Sequence, residues 1–125
     1  MIKKLERMVI TTKNINKCIE FYEILGFEAK VNEGNFYLEA EDVKIALNLL
    51  EVPNQEVILP LNVQTGCESL VFEVTESIND VMKELMDNNI KIEGGIILRE
   101  GLKGTMKSII VKDPDENIIE LASYK

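Results

Sequence analysis

The sequence predicts an α+β fold built from two βαβββ modules, and three observations carry that expectation. A short stretch with apolar residues at helical spacing occurs twice, each time after a strand-like run and before several more. The two halves match locally: Ile15-Asn16-Lys17 stands against Ile78-Asn79-Asp80, and Leu25-Gly26-Phe27-Glu28 against Asn88-Asn89-Ile90-Lys91. A segment punctuated by Pro53, Pro60 and Gly66 separates them.

The first module, residues 1–50, opens with a strand from Leu5 to Thr12. Asn14 has the short polar side chain of an N-cap. Ile15, Cys18, Ile19, Tyr22 and Leu25 then recur on one helical face, and Gly26 ends the helix as the residue best suited to a left-handed turn. Phe27 to Val31 reads as a strand, Gly34-Asn35 as a turn, and Phe36 to Glu39 and Val43 to Leu50 as the rest of a meander. Residues 51–66 form a linker.

The second module, residues 67–125, repeats the order. Ser69 to Val74 is strand-like, and Ser77-Ile78-Asn79-Asp80 resembles a capping box. Ile78, Val81, Met82, Leu85 and Asn89 follow the helical period. Ile90 to Glu93 and Ile96 to Arg99 are two strands broken by Gly94-Gly95. Met106 to Lys112, a turn at Asp113-Pro114-Asp115, and Asn117 to Ser123 close the chain. The loop Glu100–Thr105 has no counterpart in the first half. Gly101 and Gly104 suit it equally to a lid and to a plain surface turn.

Length and composition bound the function. The 125 residues make one domain with a sizeable core. The net charge of −8 repels phosphate backbones and anionic bilayers, so neither nucleic acid nor membrane is an expected partner. No leader and no bilayer-length apolar run are visible, and the two cysteines, Cys18 and Cys67, are far apart. A reduced, cytoplasmic protein is expected. Cys18 lies on the apolar helical stripe and is read as core.

Strand alternation separates two sheet faces. Met8, Ile10, Ile45, Leu47, Leu49, Leu70, Phe72, Ile119 and Leu121 should pack under the helices. The other face carries Arg7, Thr11, Lys44, Asn48, Ser69, Glu73 and Glu120 among small apolar residues. That mixture suits a ligand cavity, or else a partly solvated or dimeric sheet face. The chain has no histidine. A Ser-His-Asp triad, a Cys-His dyad, a histidine zinc site and a two-histidine-one-carboxylate iron site are thereby excluded.

Three segments resemble the vicinal oxygen chelate superfamily, which includes glyoxalase I, fosfomycin-resistance enzymes, bleomycin-resistance proteins and extradiol dioxygenases. The stretch from Leu5-Glu6-Arg7-Met8-Val9-Ile10 to Phe21-Tyr22-Glu23-Ile24-Leu25-Gly26-Phe27 resembles the family's opening strand, helix and "FY…LGF" run. Ser108 to Leu121 resembles its closing "DPDGN.IEL" hairpin, with Glu116 in place of the usual glycine. Gly94-Gly95 through Arg99, Gly101 and Gly104 is similar to the "GP…R.G..G" stretch of a bacterial glyoxalase-like branch. The resemblance implies a single domain over residues 1–125, its modules forming a curved, barrel-like mixed sheet with the helices outside, and a homodimer. It also implies that metal-ligand positions fall on Arg7, Asn48, Ser69 and Glu120, of which only Glu120 keeps a ligand chemistry.

A guanidinium has no lone pair to donate. Two unit charges about 4 Å apart repel by about 4 kcal/mol at an effective dielectric of about 20, and a divalent ion doubles that. The expectation is therefore a degenerate metal site with no cofactor, in which Arg7 and Glu120 pair. The ligand-binding residues would be Arg7, Asn48, Ser69, Glu73 and Glu120, and the ligand an unknown small molecule. A second reading makes the chain a glyoxalase-type lyase or isomerase with Glu120 as catalytic base and Arg7 as electrophile. A third makes it a degenerate scaffold or dimeric interaction protein.

Overall fold

The computed structural model describes residues 1–50 and 69–125. The expected linker at 51–66, and Cys67, lie outside the described residues. The chain divides into two compact units, Met1–Gly66 and Cys67–Lys125. Each holds one helix and one four-stranded mixed sheet, so the expected α+β class and the βαβββ order hold.

In the first unit the elements are β1 (Met8–Thr12), α1 (Ile15–Ile24), β2 (Glu28–Asn32), β3 (Asn35–Ala40) and β4 (Val43–Leu49). The sheet order is β1-β4-β3-β2, with β1 parallel to β4 and the rest antiparallel. β1 is shorter than expected. It begins at Met8, opposite Ile45, and Leu5 to Arg7 lie exposed outside the ladder. Asn14 caps α1, its Oδ1 accepting from the Lys17 amide at 3.1 Å. Gly26, at φ 109°, ends it, with the Phe27 amide donating to the Tyr22 carbonyl at 3.0 Å. Cys18, Phe21 and Tyr22 are buried, and the Tyr22 ring meets Phe21 and Phe27 edge-on. Cys18 is thus core, as its place on the stripe indicates.

In the second unit the elements are β5 (Ser69–Glu73), α2 (Ile78–Asp87), β6 (Ile92–Gly101), β7 (Gly104–Lys112) and β8 (Ile118–Ser123), in the sheet order β5-β8-β7-β6. The repeat extends to the caps. Ser77 Oγ accepts from the Asp80 amide at 3.3 Å, and Asn89 sits at φ 60° where the first unit has Gly26. The Ile90 amide donates to the Leu85 carbonyl at 2.9 Å, the equivalent of the Phe27–Tyr22 bond. Ile78 and Leu85 of α2 are buried, as are Ile109, Val111, Ile119 and Leu121 of the sheet.

One expectation changes here, and of two open readings one holds. Gly94-Gly95 does not break the edge into two strands; β6 runs through, with its register shifting between Glu93 and Ile97. A bulge inserts extra residues into one strand without ending it, and Gly94 at φ 74° supplies the conformation it requires. The segment Glu100–Thr105 is a tight hairpin, not a loose lid. Gly101 pairs with Gly104, and only Leu102 and Lys103 make the turn. The Lys103 amide donates to Tyr124 Oη at 3.0 Å, and Lys103 Nζ lies 3.6 Å from Glu73 Oε1. A Cβ on Gly101 would stand 2.4 Å from Tyr124 Oη and 2.6 Å from Met106 Sδ, so a larger residue would have to push those two side chains aside.

The closing turn keeps its shape despite Glu116. That residue sits at φ 67°, the left-handed region that a Cβ disfavours by about 1–2 kcal/mol. Glu116→Gly relieves that strain and gives back about 0.4–1 kcal/mol through the freer unfolded chain. A net stabilisation of about 0.5–1 kcal/mol is expected in urea unfolding. An unchanged or lowered midpoint would show that Glu116 is not strained.

Candidate functional site

Of the residues expected to form a site, Asn48 stands on the first sheet and Glu73 and Glu120 on the second, while Arg7 precedes β1. In the second unit the strand register places Val71 opposite Glu120, Ser69 opposite Ile118 and Glu73 opposite Ala122. Glu73 and Glu120 therefore share a face, the one turned away from Leu70, Phe72, Ile119 and Leu121; of Ser69 only the backbone pairing is described. β7 continues it with Ser108 opposite Ala122 and Ile110 opposite Glu120, and β6 with Ile97 opposite Ser108.

Glu120 is buried, its side chain only 11% exposed. Its Oε1 accepts from Arg99 Nη2 at 3.1 Å. Arg99 stands opposite Met106, so its side chain must cross β7 to reach Glu120 on β8. The level it crosses carries Ser108 and Ala122, both small and fully buried. Ser108 Oγ has no hydrogen-bond partner there. Within its own unit Glu120 is held by Arg99 rather than left for Arg7, and exposed Arg7 pairs through Nη1 with neighbouring Glu6 in the first unit. Arg7 lies before β1, outside the ladder. Glu73 is exposed and linked to the hairpin lysine Lys103.

In the first unit, Asn48 stands opposite Thr11 and its Nδ2 donates to Thr11 Oγ1 at 3.4 Å. Arg7 lines an open cleft of about 430 Å³ with Glu6, Lys30, Tyr37, Glu39 and Lys44. Arg7 thus borders residues that strand alternation does not assign to it, Lys44 apart. Arg99 was also left unassigned, although it belongs to the "R.G..G" resemblance and could have been found there. Among the described residues, no three His, Cys, Asp or Glu side chains group closely enough to hold a metal ion. No helix among them is long and apolar enough to cross a membrane.

Comparison with known proteins agrees with this architecture. The chain is 35% identical over 125 residues to the glyoxalase domain-containing protein RDO1 of Mycosarcoma maydis, a match that takes in 99% of this chain and 70% of that protein. It is 32% identical over 129 residues to the virulence protein STM3117 of Salmonella typhimurium, over 99% of this chain and 86% of that one. An integron cassette protein from the mobile metagenome of V. cholerae superposes with a TM-score of 0.86 at 32% identity, covering 100% of this chain and 98% of its own. Residues 4–121 match the family model described as Glyoxalase/Bleomycin resistance protein/Dioxygenase superfamily. With that match spanning nearly its whole length, the chain belongs to the glyoxalase/bleomycin resistance/dioxygenase superfamily.

Proposed function

We propose that this chain is a metal-independent, small-molecule-binding member of the superfamily. The observation that carries the reading is the Arg99–Glu120 pair. Glu120 is the one residue whose chemistry suits the family's metal position, and here a guanidinium neutralises it. The remaining positions do not suit a divalent ion. Arg7 cannot donate a lone pair, and Asn48 and Ser69 offer only neutral oxygens, which are weak beside carboxylate or imidazole. A metal would have to displace Arg99 and then sit within reach of its charge.

An ion pair on a mostly apolar sheet face is also a recognition element. A ligand that hydrogen-bonds Arg99 while leaving Glu120 paired satisfies both groups, and the guanidinium fork has donors to spare beyond the single bond to Oε1. Ser108, buried and unbonded at the foot of the pair, offers a further hydroxyl if the arm shifts. The absence of tryptophan argues against a large aromatic cation such as bleomycin.

A thermal-shift screen tests this. Manganese, nickel and zinc are expected to leave the melting temperature unchanged, whereas a member of a panel of small organic acids and cationic antibiotics raises it. A rise of several degrees with a divalent ion, abolished by Glu120→Gln, would overturn the reading.

A further inference from the structure

The cleft of the first unit carries a charge arrangement at odds with the rest of the chain. The whole chain bears −8, yet the cleft is lined by three cations, Arg7, Lys30 and Lys44, balanced only by the lining Glu6 and Glu39 and by Glu28 beside Lys30. The sheet register explains the clustering. Lys30 stands opposite Tyr37 across β2 and β3, and Lys44 stands opposite Glu39 across β3 and β4, so alternation brings all four side chains to one face. Lys44 Nζ lies 5.5 Å from the centre of the Tyr37 ring, which gives it a second anchor besides Glu39.

The existing partners of these cations are replaceable. Lys44 Nζ is 3.4 Å from Glu39, Lys30 Nζ is 3.1 Å from Glu28, and Arg7 pairs with the adjacent Glu6. All three cationic side chains are about half exposed, and pairs of that kind contribute about 0–1 kcal/mol. A ligand oxyanion that met two of the cations at once would exchange weak single contacts for a shared one.

We propose that this cleft is an oxyanion-binding site, recognising a carboxylate or phosphoryl group of a small molecule through Lys30, Lys44 and Arg7 around Tyr37. It deepens the binding-protein reading above and rests on it for the premise that a small molecule is the ligand. The cleft lies entirely within the first unit. It therefore does not depend on the Arg99–Glu120 pair, and the two can be tested apart.

The test is an amide-resolved NMR titration of the full chain after treatment with chelating resin, at constant ionic strength. Inorganic phosphate is added in one arm and succinate in the other, with chloride as the reference. Saturable shifts at Lys30, Tyr37 and Lys44 are expected, and the arm that saturates more tightly distinguishes a phosphoryl from a carboxylate ligand. Lys30→Gln and Lys44→Gln should each weaken that binding about three- to tenfold, and Glu39→Gln should strengthen it about two- to threefold by removing a competitor of the ligand. Lys13→Gln, outside the cleft, should leave it unchanged. Shifts that never saturate in either arm, or equal weakening by Lys13→Gln and Lys44→Gln, would overturn the proposal. That failure would leave metal independence standing, and a stoichiometric metal elsewhere in the chain would leave this titration standing.

Discussion

Replacing Asp113 by alanine is expected to destabilise the protein by about 3 kcal/mol, the largest effect of any single change considered. Asp113 is almost fully buried at the start of the closing turn. Its Oδ1 accepts from the amides of Asp115 and Asn117, both at 2.9 Å, and its Oδ2 accepts from Asn117 Nδ2 at 2.8 Å. Hydrogen bonds to a charged acceptor contribute about 1.5–3 kcal/mol each, and removing the acceptor also strands buried donors. The three share one carboxylate and are not additive, which sets the total near the upper end of a single strong bond. Backbone bonds from the Glu116 amide to the Asp113 carbonyl, and from the Asp113 amide to the Asn117 carbonyl, hold part of the turn in the mutant. Asp113→Asn keeps an acceptor for the two amides but offers Asn117 a second NH₂ group unless one amide flips. It should cost about 1 kcal/mol, near the lower range for a lost bond. Urea unfolding of the two variants checks both values. An alanine variant within about 0.5 kcal/mol of the parent, the usual range of neutral surface changes, would show that the backbone bonds alone hold the turn.

The second large effect belongs to Arg99. Arg99→Ala leaves Glu120 buried without its cation. Breaking a fully buried pair from one side costs about 3–5 kcal/mol, but Arg99 is half exposed and water can reach its place, so about 2 kcal/mol is expected. The double variant Arg99→Met/Glu120→Met removes both charges and keeps apolar bulk on the sheet face. It should recover most of the loss, because the desolvation of Glu120 disappears with its charge. Arg99→Lys falls between, since a single ammonium lacks the reach and fork of guanidinium. Recovery in the double variant is the sign that electrostatics, not packing, carries the single mutant's loss. An Arg99→Ala protein as stable as the parent, with no recovery in the double, would show that the pair is incidental to the fold.

These two sites differ in how far the sequence revealed them. The Asp113 turn and both helix caps were legible because they are local. An Asn or Ser three residues before a free amide, or an Asp four residues before an Asn, acts through neighbours the sequence already prints. The register of the repeat was legible for the same reason, down to Asn89 standing in for Gly26. The partner of Glu120 was not. Arg99 is 21 residues away and reaches across an intervening strand. No periodicity distinguishes it from Arg7, which stands at the family's position. Arg7 itself falls outside β1, because strand ends depend on where the neighbouring ladder begins. The lysine cleft was hidden because Lys30, Tyr37 and Lys44 lie on three strands and meet only after the hairpins set their register.

The central claim, that Arg99 rather than a metal ion neutralises Glu120, is tested most directly by elemental mass spectrometry of the full chain, purified without chelator and then dialysed against manganese, nickel, zinc and iron in turn. Far less than one equivalent of any of them is expected, in the parent and in Glu120→Gln alike. One tightly retained equivalent in the parent that is lost in Glu120→Gln would contradict it.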